Sequence, residues 1–149
     1  MMIDARSLPD GKTVDADICI VGAGVAGITL ARELAGSDMR VCLLESGGVE
    51  PDRVTQSLAW GENIGIPYYS LDVSQARFLG GTSNCWHVGI GGPQLGARLH
   101  ALDAIDLEER EWVPYSGWPF TRDQLDPFYE RAHAICRTGP FDEDAGSWA

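Results

Sequence analysis

The sequence is poor in positive charge. It carries 11 Lys and Arg against 22 Asp and Glu, which gives a formal net charge of −11. Such an acidic surface repels phosphate backbones, so we expect no nucleic acid partner. A phosphate group that binds here must be held by oriented backbone N–H groups instead of bulk charge.

Long apolar runs are also missing. No segment approaches the roughly 18 apolar residues needed to cross a bilayer. The first residues, MMIDARSLPDGK, contain no apolar stretch of the kind found in secretory signals. We therefore expect no membrane partner and a cytoplasmic location. The length of 149 residues fits one globular domain.

The four cysteines lack the spacing of a metal site. Cys19, Cys42, Cys85 and Cys136 form no CxxC pair, so the sequence predicts neither a zinc site nor a disulfide framework. Cys19 and Cys42 lie in apolar runs typical of strands. We expect both to be small buried residues.

A strand–helix–strand pattern occupies the first third of the chain. The apolar run at 17–21 does not alternate, which predicts a strand buried on both faces of a parallel sheet. Residues 25–35 carry one apolar helical stripe, and Gly36 marks the expected helix end. Residues 40–45 predict a second strand. These elements are typical of a right-handed βαβ unit, which we place at 15–48.

The turn between the first strand and the helix carries a dinucleotide-binding fingerprint. Its GxGxxG sequence is Gly22, Ala23, Gly24, Val25, Ala26 and Gly27. Gly22 permits the tight turn, Gly24 lets a pyrophosphate approach the backbone, and Gly27 lets the helix pack close to the strand. The helix N-terminus adds free N–H groups and the positive end of its dipole.

An acidic residue ends the second predicted strand. Glu45 lies 18 residues after Gly27, near the spacing at which a carboxylate accepts hydrogen bonds from the adenosine ribose. The same charge repels a 2′-phosphate and disfavours NADP. Ser46 follows it and is also predicted to contact the cofactor. Both NAD and FAD use this half-site, so the fingerprint leaves the two open.

A second glycine loop follows a long excursion without clear periodicity. Residues 77–86 read RFLGGTSNCW. Adjacent glycines expose the backbone, and the hydroxyl groups of Thr82 and Ser83 offer donors to an anion. A surface turn built from the same small residues is the alternative interpretation.

Three stretches of the chain resemble the glucose–methanol–choline (GMC) family of FAD-dependent oxidoreductases. The closer likeness is to the bacterial sugar dehydrogenase and pyranose oxidase branch. The stretches are ADICIVGAGVAGITLARELAGSDMRVCLLESGG at 16–48, RFLGGTSNCWHVG at 77–89 and WVPYSGWPFTRDQLDPFYERA at 112–132.

The resemblance implies that residues 77–92 form a loop along the pyrophosphate and flavin of FAD. The residues implied to contact the cofactor are Gly80, Gly81, Thr82, Ser83, Asn84 and Cys85. Some relatives join the flavin covalently through a histidine of this loop. Cys85 stands at that place and His87 follows two residues later, so we expect FAD to be bound noncovalently. We interpret Cys85 as a packing residue instead of a reactive thiol.

The expected fold class is α/β, the N-terminal part of a Rossmann-like FAD-binding domain. It would comprise the βαβ unit, the long excursion and a C-terminal helix with Asp126 as N-cap and Pro127 at N1. Phe128, Ala132 and Ile135 are expected on one face of that helix.

The resemblance implies that the substrate domain and a histidine-based catalytic pair lie beyond residue 149, and no catalytic residue is predicted here. We expect an FAD-binding fragment of an oxidoreductase acting on CH–OH groups of sugars or alcohols, inactive alone. The alternatives are a noncatalytic module that needs a separate C-terminal chain, and a fragment of an NAD-dependent dehydrogenase.

Overall fold

The computed structural model describes residues 1–88, 95–96 and 99–142. The chain divides into two compact units, Met1–Cys85 and Trp86–Ala149. The expected site residues all lie in the first unit. Residues 89–92 of the predicted 77–92 loop lie outside the described residues.

The first unit is built on a parallel strand–helix–strand motif. Strand β1 spans Ile18–Val21, helix α1 spans Val25–Glu33 and strand β2 spans Val41–Leu44. The strands pair in parallel, from Ile18 opposite Val41 to Val21 opposite Leu44. The predicted order is confirmed, and the chain is a mixed α/β structure with a two-stranded parallel sheet.

The two faces of this sheet differ in burial. On one face Ile20 is only 7% exposed, and α1 is in contact with both strands. On the other face Val21 is 83% exposed and Cys19 is exposed. The expectation that this strand is buried on both faces, with Cys19 in the core, is therefore wrong. Among the described residues of this unit, only one sheet face is well covered.

The excursion after β2 contains two short helices. Helix α2 spans Arg53–Ser57, with Asp52 as N-cap, and helix α3 spans Leu71–Ser74. The Gln56 amide joins this segment to the chain before the second glycine loop. It donates to the carbonyl groups of Asp72 and Gln75, both at 2.7 Å. It also accepts from the Arg77 N–H at 3.0 Å, which fixes where the loop begins.

The second unit contains two short strands and two helices among its described residues. Strand β3 (His87–Val88) pairs antiparallel with strand β4 (Leu95–Gly96). Helix α4 spans Ala104–Leu107 and helix α5 spans Arg122–Cys136. The apolar residues of 99–107 are irregularly spaced, so the sequence predicts neither a helix nor a strand there.

Helix α5 starts earlier than predicted. Thr121 is its N-cap and forms a capping box with Gln124. The prediction that Asp126 caps the helix with Pro127 at N1 is wrong, because Pro127 lies inside the helix. The reciprocal Thr121–Gln124 contacts satisfy two backbone N–H groups at the start of the helix, so the helix begins there and not at Asp126.

Of the residues predicted to share one face of α5, Ala132 and Ile135 are half-buried, but Phe128 is not. Phe128 is 59% exposed, whereas His133 is only 3% exposed. The Tyr129 and His133 rings lie 5.5 and 5.3 Å from the Phe141 ring. His133 lies among half-buried residues at 122, 125, 126, 129, 132, 135 and 136, which follow the spacings of three and four that define a helix face.

None of the helices among the described residues is long and apolar enough to cross a membrane.

Candidate functional site

The GxGxxG turn adopts the geometry that its glycines permit. Gly22 has φ of +98°, a conformation that residues with a Cβ rarely adopt. Its N–H donates to the Leu44 carbonyl at 2.7 Å, which extends the strand pairing into the turn. A Cβ on Gly27 would overlap the Gly22 carbonyl oxygen. Gly27 thus allows α1 to pack directly against the turn.

Gly24 has a different role from its neighbours. It is the N-cap of α1 with φ of −78° and ψ of −176°, which any residue adopts. A Cβ placed on it would meet no atom within 4 Å. The first helical residues, Val25, Ala26 and Gly27, follow at once. The turn therefore presents bare backbone and a helix N-terminus to open space, as an approaching phosphate requires.

The Glu45 carboxylate links the end of β2 to the fingerprint turn. Its Oε2 accepts from the Ala23 N–H at 2.7 Å, and its Oε1 accepts from the Gly47 N–H at 2.8 Å. The Ser46 hydroxyl donates to Oε1 at 3.2 Å. Each carboxylate oxygen has two lone pairs, so Oε1 is saturated by its two donors, whereas Oε2 keeps one lone pair that could accept from a ribose hydroxyl.

The hydrogen bonds around Glu45 stabilise its charged form. Partial burial acts to raise the pKa of Glu45, but the N–H donors of Gly47 and Ala23 outweigh it and hold the pKa below its ordinary value. The side chain is therefore ionised at neutral pH. Its negative charge at the edge of the site favours hydroxyl groups over a second phosphate.

The second glycine loop lies against the first. The Gly80 N–H donates to the Ala23 carbonyl at 2.8 Å, and Gly80 forms an isolated parallel bridge with Gly24. Gly81 has φ of +59°, and a Cβ on it would lie 3.2 Å from the Gly24 Cα. The structure thus brings together the two glycine motifs and Glu45, although they are distant in the sequence.

The polar residues of this loop divide between the cleft and the loop itself. Residues 81–85 form a 3₁₀ turn. Thr82 lines the cleft and accepts from the Ala76 N–H at 3.2 Å. The Ser83 hydroxyl donates to the Gly80 carbonyl at 2.6 Å. The Asn84 amide donates to the carbonyl groups of Leu79 and Gly81, both at 2.9 Å.

The remaining loop residue, Cys85, is exposed at the end of the 3₁₀ turn. It does not line the cleft between the glycine motifs. The residues of the 77–92 loop that do so are Arg77, Gly81 and Thr82.

An open cleft of about 590 Å³ lies between these motifs. This volume falls within the usual range of small-molecule sites, about 300–1,000 Å³. Its lining is Val21, Gly22, Gly24, Leu44, Glu45, Ser46, Gln75, Ala76, Arg77, Gly81 and Thr82. Six of the predicted cofactor residues therefore face one space, namely Gly22, Gly24, Glu45, Ser46, Gly81 and Thr82.

Arg77 is a cleft residue that was absent from the predicted site. Its Nη2 donates to the Ser46 hydroxyl at 3.1 Å. Its buried Nε has no hydrogen-bond partner among the described residues. This cation supplements the backbone donors in an otherwise acidic chain. Its position three residues before Gly80 was the one signal in the sequence that pointed to it.

The arrangement is equipped for binding. Backbone N–H groups, one guanidinium and one carboxylate surround the cleft. The described residues contain no group of three or more His, Cys, Asp or Glu side chains that could hold a metal ion.

Parts of the chain are similar to two curated proteins. It is 38% identical over 64 residues to ubiquinone hydroxylase UbiM of Neisseria meningitidis serogroup C. It is 50% identical over 44 residues to squalene epoxidase 3 of Arabidopsis thaliana. These matches cover 42% and 30% of this chain, but only 13% and 8% of the lengths of those proteins.

No protein-family model matches the chain. No solved structure matches it either. The similarity therefore joins less than half of this chain to short parts of two much longer proteins, a hydroxylase and an epoxidase. It gives no support to the GMC family in particular, and that resemblance stays a prediction.

Proposed function

We propose that this chain binds FAD noncovalently, with the ADP part held between the two glycine motifs. The carrying observation is the contact of Gly80 with Ala23 and Gly24, which places both motifs and Glu45 around one cleft. In this proposal the N–H groups at the start of α1 receive the pyrophosphate, and Glu45 accepts from the ribose hydroxyls.

The local geometry of the cleft fits such a ligand. Gly24 leaves open space where a side chain would project. Arg77 lines the cleft, so its guanidinium would face the phosphates of a bound nucleotide. An FAD cofactor is consistent with the partial similarity of this chain to the hydroxylase and the epoxidase.

The bound flavin would supply the redox chemistry, and these residues would hold and orient it. On the GMC resemblance we propose that the complete enzyme oxidises CH–OH groups of sugars or alcohols. The substrate residues and the proton acceptor would then come from outside this chain, either from further sequence or from a separate C-terminal chain.

A second candidate is oxygen insertion by a flavin-dependent enzyme. The specific observation in its favour is that both similar proteins are named for adding oxygen, one as a hydroxylase and one as an epoxidase. Both candidates use the same ADP-binding segment. The two activities would differ in the substrate site, and we assign no described residue to that site.

The first experiment is a titration of the purified chain with FAD, ADP and NAD, followed by flavin absorbance and by isothermal calorimetry. We expect FAD and ADP to bind and FAD to stay removable after denaturation, because the link is noncovalent. Binding of NAD and ADP without FAD would contradict the FAD proposal. Failure of all three ligands with a folded chain would contradict the nucleotide site itself.

Complementation then separates the two candidate activities. The flavin-loaded chain, supplied with a candidate C-terminal chain, is given an alcohol or sugar in the absence of oxygen. Flavin reduction under these conditions supports CH–OH oxidation. In a second assay the same mixture receives a reductant and oxygen. Incorporation of oxygen into the substrate that requires both additions supports the second candidate and contradicts the first.

A further inference from the structure

Two cysteines lie opposite each other on the parallel strands. Cys19 of β1 is the direct register partner of Cys42 of β2. Paired residues of neighbouring strands project to the same face of a sheet. This is the face on which Val21 and Leu44 are 83% and 51% exposed. Cys19 is an exposed free thiol and Cys42 a half-buried one, so small reagents reach the pair from solvent.

Polar contacts at both ends of the strands hold this register. Before the strands, the Arg40 N–H donates to the Asp17 carboxylate at 2.7 Å, and the two side chains form an ion pair at 3.0 Å. After the strands, the Ala23 N–H donates to Glu45 at 2.7 Å. A slip of one residue would break these contacts and send one thiol to the opposite face. The cysteines therefore stay opposite each other.

The strand spacing suits a reversible bond. Neighbouring strands lie about 4.7–4.9 Å apart, which is inside the Cα separation that a disulfide allows, about 4.4–6.8 Å. The Cβ atoms of a disulfide lie closer, at about 3.5–4.5 Å, so the strands must approach slightly when the bond closes. A disulfide made under such strain is readily reduced and acts as a labile bond.

We propose that Cys19 and Cys42 form a reversible dithiol–disulfide site that is oxidised by a small disulfide of the glutathione type. The Cys19 thiolate attacks oxidised glutathione and releases one glutathione thiolate. The Cys42 thiolate then attacks the mixed disulfide and releases the second. The two thiol protons pass to the released glutathiones, the protein loses two electrons, and oxidised glutathione gains them. The proposal concerns these thiols alone and does not depend on nucleotide binding.

The test is disulfide mapping of the full chain after treatment with oxidised glutathione. Free thiols are blocked, the monomer is isolated, and the chain is cut with trypsin without reduction. We expect the peptides 13–32 and 41–53, which contain Cys19 and Cys42, to be joined in the monomer. Dithiothreitol should separate them. The double variant Cys85→Ser with Cys136→Ser should form the same link, because neither residue takes part.

Other products would overturn the proposal. Stable glutathione adducts on both cysteines of the wild-type monomer would mean that the second thiol cannot displace the first glutathione. A link found only in dimers would mean that the reaction joins two chains. In the variant Cys42→Ser, we expect Cys19 to retain its glutathione adduct, because no neighbouring thiol resolves it. Rapid loss of that adduct in this variant would also contradict the proposed role of Cys42.

Discussion

At the scale of single residues, Gly27 is expected to affect the stability of the fold, and Gly24 is expected to affect nucleotide binding. A methyl group on Gly27 would overlap the Gly22 carbonyl, so Gly27→Ala should lower the free energy of unfolding by about 1–3 kcal/mol. A methyl group on Gly24 meets open space and an ordinary backbone conformation. Gly24→Ala should therefore stay folded but bind ADP about tenfold more weakly, a loss of about 1.4 kcal/mol.

Urea denaturation and calorimetry with ADP measure the two effects. The alanine variants serve as controls for each other, since both add one methyl group to a glycine of the same motif. Equal stability of Gly27→Ala and the wild type would contradict the close packing of α1 against the turn. Unchanged ADP affinity in Gly24→Ala would argue against the phosphate position.

A second prediction at this scale concerns the pH dependence of Glu45. Hydrogen bonds from Gly47 and Ala23 hold its pKa below the ordinary value. Its stabilisation should be fully present above the ordinary glutamate pKa of about 4.3 and should be lost as the pH falls through the lower folded value. We expect wild type to be more stable than Glu45→Gln at pH 7 and the two to converge in acid. A constant stability difference down to pH 3, followed by urea denaturation, would contradict this linkage.

At the scale of elements, the start of α5 provides a matched comparison. Thr121 caps the helix with a reciprocal Gln124 contact, whereas Asp126 lies within it and pairs with Arg122 at 3.0 Å. Thr121→Ala should destabilise the helix by about 1 kcal/mol. Asp126→Ala removes an ion pair in which the Asp126 side chain is 43% exposed, and Arg122 keeps its hydrogen bond to the Leu102 carbonyl, so the change should cost at most about 0.5 kcal/mol. Amide hydrogen exchange of the first two turns distinguishes them. A larger effect of Asp126→Ala would restore the later helix start.

The sequence predicted the elements whose signals are local. The apolar runs and the glycine turn indicated β1, α1 and β2 within one or two residues of their bounds. Two competing cap signals preceded α5, and the Asp-Pro pair favoured the wrong one. The burial of Cys19 was wrong for another reason. Burial depends on what packs against a strand, and a strand's own residues do not encode that.

The candidate site was predictable to the same extent. The fingerprint and Glu45 follow from spacing within one βαβ unit. The proximity of Gly80 to Ala23 was expected only through the family resemblance, because no local pattern links such distant residues. Arg77 was missed because a single arginine in an irregular segment carries no periodic signal. Its role depends on Ser46, which lies far away in the sequence.

At the scale of the whole molecule, we expect the uncovered sheet face to promote self-association. Val21 and Leu44 expose apolar surface there, and exposed strands favour association. Val21→Lys should therefore reduce concentration-dependent self-association in sedimentation velocity. Val54→Lys is the matched control, because Val54 is 79% exposed but lies in α2, outside the sheet. Equal effects of both variants would show that added charge alone, and not this face, controls association.

The contact between Gly80 and Ala23 also has a consequence for the order of folding. The β1–α1–β2 unit closes a short loop, whereas this hydrogen bond must close a much longer one and lose more chain entropy. Contacts that are close in sequence form faster than distant ones. The wall of the cleft formed by the β1–α1–β2 unit should therefore fold before the wall formed by the loop that carries Gly80. A dinucleotide that touches both walls would then act as a template, holding the late-arriving loop in place and slowing its escape.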